Sequence, residues 1–494
     1  MPDTYDVIVV GAGNAAMCAA LSAQEQGAKV LVLEKASEEE RGGNSTFTAG
    51  GFRFVHEGHE DLRKDVLNDL SEAEAKQMVI PPFTAEKYTE DLMMATEYLS
   101  EPDLIDILVG RSRETMIWMK EKGVRWIPMF KRQSYMVNGV QHFFGGMAVE
   151  AVGGGWGLVD FLFRSAERYG VKVRYNTGLR KLIQNRKGDV IGVTAFGPDG
   201  YEDIHAKSVV LACGGFEADP EMRVRYYGPG WELARVRGTR HNTGDGIKAA
   251  LEIGAAAFGG WSSCHAVQWD LSAPPFGDRV VLDNYQKHSY PIGIIVNADG
   301  QRFVDEGADF RNYTYAKYGR EVMKQPKRMA VQIFDNKTNH LTRDEYRIRQ
   351  VTKGEANTLE ELAAQLEISA EGLVKTVREF NAACQPGEHN FAILDGKHTE
   401  GISPPKSNWA VPIDEPPYHG YAVTCGITFS FGGLKITNEG EVEDTTGRII
   451  PGLFAAGELV GGIFYQNYLG GAGLMSGSVF GRLSGRTAGK YAKG

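Results

Sequence analysis

The chain has 494 residues, 42% hydrophobic and 24% charged, which is the composition of a soluble globular protein with room for two or three domains. A formal net charge of -9 argues against nonspecific nucleic-acid binding. The five scattered cysteines (Cys18, Cys213, Cys264, Cys384 and Cys425) show no CxxC, haem-attachment or iron–sulfur spacing, so no disulfide framework, haem, cluster or metal site is expected.

Tyr5 to Val10 is a short apolar, β-branched run, long enough for one buried parallel strand. Gly11-Ala12-Gly13-Asn14-Ala15-Ala16 follows, then a small-residue helix from Met17 to Gln26 and a second strand from Lys29 to Leu33 ending on Glu34. This is a dinucleotide fingerprint in its proper context. Gly11 permits the tight turn, Gly13 lets backbone approach a pyrophosphate, and Ala16 keeps helix and strand close. Glu34 stands where a carboxylate accepts from an adenosine ribose.

The run Gly42-Gly43-Asn44-Ser45-Thr46-Phe47-Thr48-Ala49-Gly50-Gly51 is too small and polar for a core element and suits wrapping round a flat ring or phosphate. Residues 59–122 read as a helical insertion without chemistry of its own. Tyr135 and His142-Phe143-Phe144 fall in a loop-like stretch. Gly155 to Tyr169 is an amphipathic helix and Val171 to Tyr175 a strand. Val190 to Phe196 and Tyr201 to Ala206 form a hairpin, and Ser208 to Phe216 is a buried strand ending in glycines. Asn242-Thr243-Gly244-Asp245-Gly246 opens a helix that Thr243 and Asp245 are placed to cap. Strands at Gly293 to Asn297 and Met329 to Phe334, then helices at Thr358 to Leu366 and Ala370 to Cys384, mark a middle segment of different texture. Ile449 to Glu458 reads as a strand ending in Gly-Glu, and Tyr468 to Gly473 leads into a last small-residue helix.

These pieces together resemble the flavoproteins of the fumarate reductase and succinate dehydrogenase superfamily. The resemblance rests on the Gly11 fingerprint, Gly42-Gly43-Asn44-Ser45, Ala212-Cys213-Gly214-Gly215-Phe216, Thr243-Gly244-Asp245-Gly246, Gly300-Gln301-Arg302-Phe303-Val304-Asp305-Glu306, Pro451-Gly452-Leu453 with Ala456-Gly457-Glu458, and Phe480-Gly481-Arg482. It implies an α/β fold: a Rossmann-type, GR2-like FAD-binding domain (residues 1–260 and 388–494) with an inserted α+β capping domain (residues 261–387). It also implies FAD, bound noncovalently because the loop Asn44-Ser45-Thr46 holds no histidine to tether it. The residues expected to contact FAD are Gly11, Gly13, Asn14, Ala15, Glu34, Lys35, Gly43, Asn44, Ser45, Gly50, Gly51, Ala212, Gly214, Thr243, Asp245, Gly457, Glu458, Gly473 and Leu474. Backbone N–H groups of Gly473 to Met475 are expected to stabilise negative charge on the reduced ring.

Within the superfamily, Glu306 to Tyr315 and Asn242 to Ile247 look most like the FAD-dependent tricarballylate dehydrogenases, which oxidise a saturated tricarboxylate to cis-aconitate. The chain departs from the fumarate reductases at three places. His265 matches their first substrate histidine, but Phe429 stands at the second, Asn339 at the proton-donating arginine and Tyr468 at the carboxylate-clamping arginine. Losing bidentate guanidinium partners speaks against plain fumarate reduction. A tyrosine at 468 is similar to the ketosteroid dehydrogenases of the same superfamily.

Flavin desaturation needs a held C–C bond and a group to move a proton. The candidates are Tyr468, Arg311, His265 and Glu306, with Glu306 the acidic neighbour available to Arg311 if no substrate carboxylate meets it. Three readings follow. The first is a dehydrogenase forming a C=C bond next to a carboxylate, tricarballylate-like; the second acts on a ketone or 3-ketosteroid-like substrate through Tyr468; the third is a non-catalytic flavin-binding redox protein. The expected partners are a small, anionic substrate and a separate electron acceptor, quinone or redox protein. No membrane span or nucleic acid is expected, and the setting inferred from the cysteines is cytoplasmic.

Overall fold

The structure is a computed structural model that describes residues 4–130 and 133–494. The chain divides into two compact units: Met1–Tyr227 with Gly238–Cys264 and Phe429–Gly494, and Gly228–Arg237 with His265–Thr428.

The first unit is built on an eight-stranded sheet. Its spine runs Gly178–Gln184, Val190–Gly197, Gly200–Leu211, Tyr5–Val10, Val30–Leu33, Lys172–Arg174. Tyr5–Val10 lies parallel to both Val30–Leu33 (Val7 opposite Val30) and Gly200–Leu211 (Val7 opposite Ser208). Central parallel strands are covered on both faces, which is why Val7, Ile8, Val9 and Leu31 are fully buried in an unbroken apolar run. The expected hairpin and the expected buried strand after it prove to be one strand, Gly200–Leu211. Its first half pairs antiparallel with Val190–Gly197; its second half sits between Tyr5–Val10 and Ile449–Ala455.

The first helix, Asn14–Glu25, and the last, Ala472–Lys493, pack along one another. Gly477, Gly481, Gly485 and Gly489 recur every fourth residue and so share one face. Side chains there would strike the first helix: a Cβ at Gly481 would lie 2.4 Å from Ala15 O, and one at Gly485 2.1 Å from Ala19 O. The small-residue stripe thus sets the backbone separation and brings the two ends of the chain together.

Two local expectations are corrected. The Gly-rich run 42–51 contains a short 3-10 helix, Gly43–Phe47, because Thr46 and Phe47 turn inward and are buried. The stretch holding Tyr135 and His142 is a hairpin, Ser134–Val137 with Val140–Phe143, where Tyr135 and His142 stack directly opposite each other at 5.7 Å. Residues 59–122 are mainly helical, in four pieces: His59–Asp65, Glu72–Ala75, Ala85–Ala95 and Pro102–Glu121.

The second unit is α+β. Ala330–Phe334 runs antiparallel to Ile294–Asn297 on one side and to Tyr418–Leu434 on the other. Helices Leu359–Gln365 and Ala370–Ala383 cover the sheet through Leu362, Leu373, Val377 and Phe380, packed on Ile294, Val296, Val331 and Ile333. The expected return to the first domain at residue 388 falls instead after Thr428. The reason is the register Ala330–Phe334 to Val423–His419, which binds residues 418–428 into this sheet.

Candidate functional site

In the first unit the expected cofactor residues from distant segments meet. Gly11 has φ +99, and a Cβ there would lie 2.5 Å from Ala212 O, so only glycine lets the first strand turn against that carbonyl. The first helix opens at Gly13 without a side-chain cap. Asn14 N–H donates to Ser45 Oγ at 3.0 Å, while the helix itself offers the N–H groups of Ala15 and Ala16 no acceptor. That is a ready anion site. Asn14 also binds the far end of the chain, its Nδ2 donating to Leu474 O at 2.8 Å and its Oδ1 accepting from Ser478 Oγ at 3.1 Å. A Cβ at Gly457 would fall 2.7 Å from that of Ala15. Gly50 O accepts from Ala151 N–H at 3.0 Å, and Gly51 pairs with Glu150.

Glu34 is buried at the end of its strand, with the Ala36 N–H donating to Oε1 at 2.8 Å; burial raises its carboxyl above the ordinary range. Thr243 and Asp245 do not cap the helix Asp245–Glu252. Its N-cap is Gly244, left-handed at φ +75, and both side chains are drawn instead to Lys35 Nζ, at 2.6 Å and 2.7 Å. Gly214, at φ +77, leaves room for the Asn242 side chain, which a Cβ would meet at 2.4 Å.

Asn44 of the Gly-rich loop donates to Glu217 Oε1 at 2.5 Å, as does Asn242 at 2.6 Å, and Glu217 lies against Glu458. Glu217 went unremarked in the sequence because a lone acid after Gly214-Gly215-Phe216 carries no local signature. The only signal was its being an acid beside a buried strand.

Tyr468 is buried at the entrance to the last helix, and its phenol oxygen accepts the Gly473 N–H at 3.0 Å. The phenol is thus a partner of the Gly473 amide that the sequence did not foretell. Phe464 and Phe429 pack against Tyr468, at 5.2 Å and 5.8 Å between ring centres, and Phe431 packs on both of those rings. Arg53, fully buried, fixes the same turn: its Nε donates to Gly470 O at 2.9 Å and its guanidinium lies over the Phe83 ring at 5.3 Å. Tyr88, also fully buried, feels the charge of both Arg53 and Tyr468, so the helical insertion does contribute polar groups beside Tyr468.

The second unit gathers a separate cluster. Arg311 opens the helix Arg311–Met323. Its guanidinium lies over the Tyr315 ring at 5.3 Å, and its Nη1 meets His288 Nδ1 at 3.4 Å. Burial, and then the nearby charge of Arg343, push it down to about 9. Among the described residues no carboxylate lies within ion-pair distance of Arg311. His265 is buried with its ring edge-on to Tyr315 at 5.1 Å; burial, then Arg237 and Arg320, hold it well below the usual histidine range and therefore neutral. Glu306 is not the partner of Arg311. It is fully buried against Arg302, with Oε1 3.0 Å from Nε and Oε2 2.5 Å from Nη2, and it also accepts the Ile295 N–H at 2.7 Å. Four residues separate Arg302 from Glu306, and the turn between them folds back far enough to favour this nearer partner. Asn339 Oδ1 accepts from the Tyr421 hydroxyl at 3.0 Å.

Residues 6–474 match the family described as FAD binding domain. The chain is 30% identical to a probable fumarate reductase of Shewanella frigidimarina over 99% of its own length and 76% of the relative's. It is 26% identical to a 3-oxosteroid 1-dehydrogenase of Mycobacterium tuberculosis over 95% of each. Its fold superposes on the open conformation of a flavocytochrome c3 fumarate reductase with a TM-score of 0.73 and 28% identity, covering 99% of this chain and 79% of that one. The uncapped helix start at Gly13, the glycine-only turn at Gly11 and the buried acid at Glu34 fit the phosphates and ribose of FAD.

Proposed function

The chain belongs to the FAD-binding family that includes the fumarate reductases, and on that premise we propose that it oxidises or reduces the C–C bond beside a carboxylate in a small anionic substrate, tricarballylate to cis-aconitate being the leading case. It is an FAD-dependent oxidoreductase acting on carbon–carbon double bonds. The observation that carries the finer reading is Arg311: a guanidinium that burial and a second arginine make costly to hold charged, with Glu345 offsetting it only from a distance and no ion pair to a carboxylate among the described residues. A substrate carboxylate supplies that charge in the bidentate form a guanidinium favours.

FAD, when bound, accepts or returns the hydride. The rest falls to this chain's side chains. Arg311 binds and orients the carboxylate, stiffened by the Tyr315 ring beneath it. His265, kept neutral, offers a hydrogen bond without adding a charge. Tyr468 moves the proton: the Gly473 amide and the positive end of the last helix stabilise electron density on its oxygen as the proton leaves. The Gly-rich loop reads Asn44-Ser45-Thr46, so FAD is held by contacts alone. Electrons pass to or from a separate redox partner.

Anaerobic mixing of the yellow, FAD-loaded protein with tricarballylate tests the proposal: the flavin absorbance bleaches. No bleaching by tricarballylate or related polycarboxylates sinks it. A second reading has its own observation, the phenol of Tyr468 joined to an N–H donor with Phe429 and Phe464 packed against its ring, an arrangement suited to a ketone oxygen. Bleaching by a cyclic 3-ketone alone selects that reading.

A further inference from the structure

Inside the first unit two carboxyls lie in hydrogen-bonding contact: Glu217, fully buried, and Glu458, partly exposed. Two carboxyl groups touch in this way only when a proton sits between them. Their surroundings say which holds it. Glu217 Oε1 receives two side-chain amides, from Asn44 at 2.5 Å and Asn242 at 2.6 Å, and Oε2 has no N–H or hydroxyl donor of its own. Both carboxyls receive two donors, so the donor count does not separate them; burial and then the charge of Glu217 beside it push Glu458 the further above the ordinary range, which makes Glu458 the acid and Glu217 the carboxylate. Glu458 Oε1 in turn accepts the Ser430 N–H at 2.8 Å and its hydroxyl at 3.1 Å.

Among the described residues no lysine, arginine or histidine forms an ion pair with either carboxyl. Of the other titratable groups, Tyr227 feels both carboxyls, and Arg223 and Cys264 act in turn on Tyr227. Arg223 spends a donor on the Glu217 main-chain oxygen at 3.0 Å, and burial keeps the Tyr227 phenol protonated. The pair stands at the cofactor cradle. Asn44 belongs to the Gly-rich loop, Glu458 follows Gly457 beside Ala15, and a Cβ at Gly215 would fall 2.3 Å from Glu458 Oε1.

Resting on the FAD reading above, we propose that Glu217 and Glu458 form a redox-linked proton site, which holds one shared proton beside the oxidised cofactor and takes up a second when the cofactor is reduced. The two electrons come from the substrate C–H bond, or from dithionite in a titration. The added negative charge raises the affinity of the neighbouring carboxylate for a proton in a medium that screens poorly. Solvent supplies that proton, and it returns to solvent on reoxidation. No bond to carbon is made or broken at the pair.

The test is a potentiometric titration of FAD-loaded protein with dithionite and mediator dyes across pH, wild type against Glu217→Gln. The wild-type midpoint falls more steeply with pH, the excess approaching tenfold in equilibrium constant per pH unit, about 30 mV for a two-electron couple. A redox-difference infrared spectrum of wild type shows a carboxyl C=O band that shifts in D2O, and this readout stands even if Glu217→Gln fails to hold FAD. Equal slopes together with a wild-type spectrum lacking that band overturn the proton site alone. Protein that takes up no FAD overturns the parent reading and this one together.

Discussion

Glu306 is held by Arg302 through two contacts, Oε1 to Nε at 3.0 Å and Oε2 to Nη2 at 2.5 Å, with both side chains nearly inaccessible to water. A buried pair of this kind is a weak source of net stability, but breaking it leaves one charge with no compensation. Glu306→Gln is therefore expected to destabilise the protein by about 3–5 kcal/mol, read as a lower urea midpoint. Lost turnover at unchanged stability would return Glu306 to the chemistry.

The same pairing leaves Arg311 without Glu306, and under the proposed function its partner is the substrate carboxylate. Arg311→Ala raises the Kd for tricarballylate by ~2–4 kcal/mol if the guanidinium is desolvated on binding, while an uncharged ketone of similar size is unaffected. Isothermal titration of both ligands checks this, and equal loss for the two would mark Arg311 as structural.

Tyr468→Phe keeps the ring against Phe429 and Phe464 but removes the oxygen that meets Gly473. The rate of flavin reduction in stopped flow falls by ~10²–10⁴, the range for losing a positioned proton donor or acceptor, with little change in substrate affinity. An unaltered rate removes Tyr468 from the mechanism.

Gly481→Leu forces a side chain toward Ala15 O, which a Cβ alone would approach to 2.4 Å. Overpacking of this kind costs about 1–3 kcal/mol, and here it also pushes the last helix off the fingerprint that holds FAD. The expected outcome is a lower thermal midpoint with weaker FAD retention. Lys490→Ala, on the exposed side of the same helix, changes neither.

His56 is fully buried, and burial, the largest influence on it, pushes its imidazole down to about 4. The unfolded chain therefore binds a proton near pH 6.5 that the folded chain refuses until about pH 4. Stability attributable to His56 is fully present above pH 6.5 and is lost as the pH falls toward 4, by up to about 3 kcal/mol. In His56→Gln the stability curve is flatter between those limits. A slope identical to wild type rules His56 out as the source of the acid sensitivity.

Gly11, Gly13 and Glu34 could be read directly from the sequence because a strand–turn–helix–strand unit is local: spacing along the chain becomes spacing in the fold within a few residues. The stripe Gly477, Gly481, Gly485 and Gly489 was equally legible, since helical period alone puts it on one face. The partners of charged and polar side chains were not. Thr243 and Asp245 looked like caps until Lys35, from the bend after a distant strand, drew them away, and Glu217 acquired a role only when Asn44, Asn242 and Glu458 arrived from three other segments. The unit boundary at Thr428 had the same origin, a strand register set by pairing across many residues. Backbone conformation and hydrophobic period are properties of neighbours in the chain, so the sequence determined the cofactor fold. Which oxygen meets which nitrogen depends on distance through space, so only the tertiary structure decided how the site is charged.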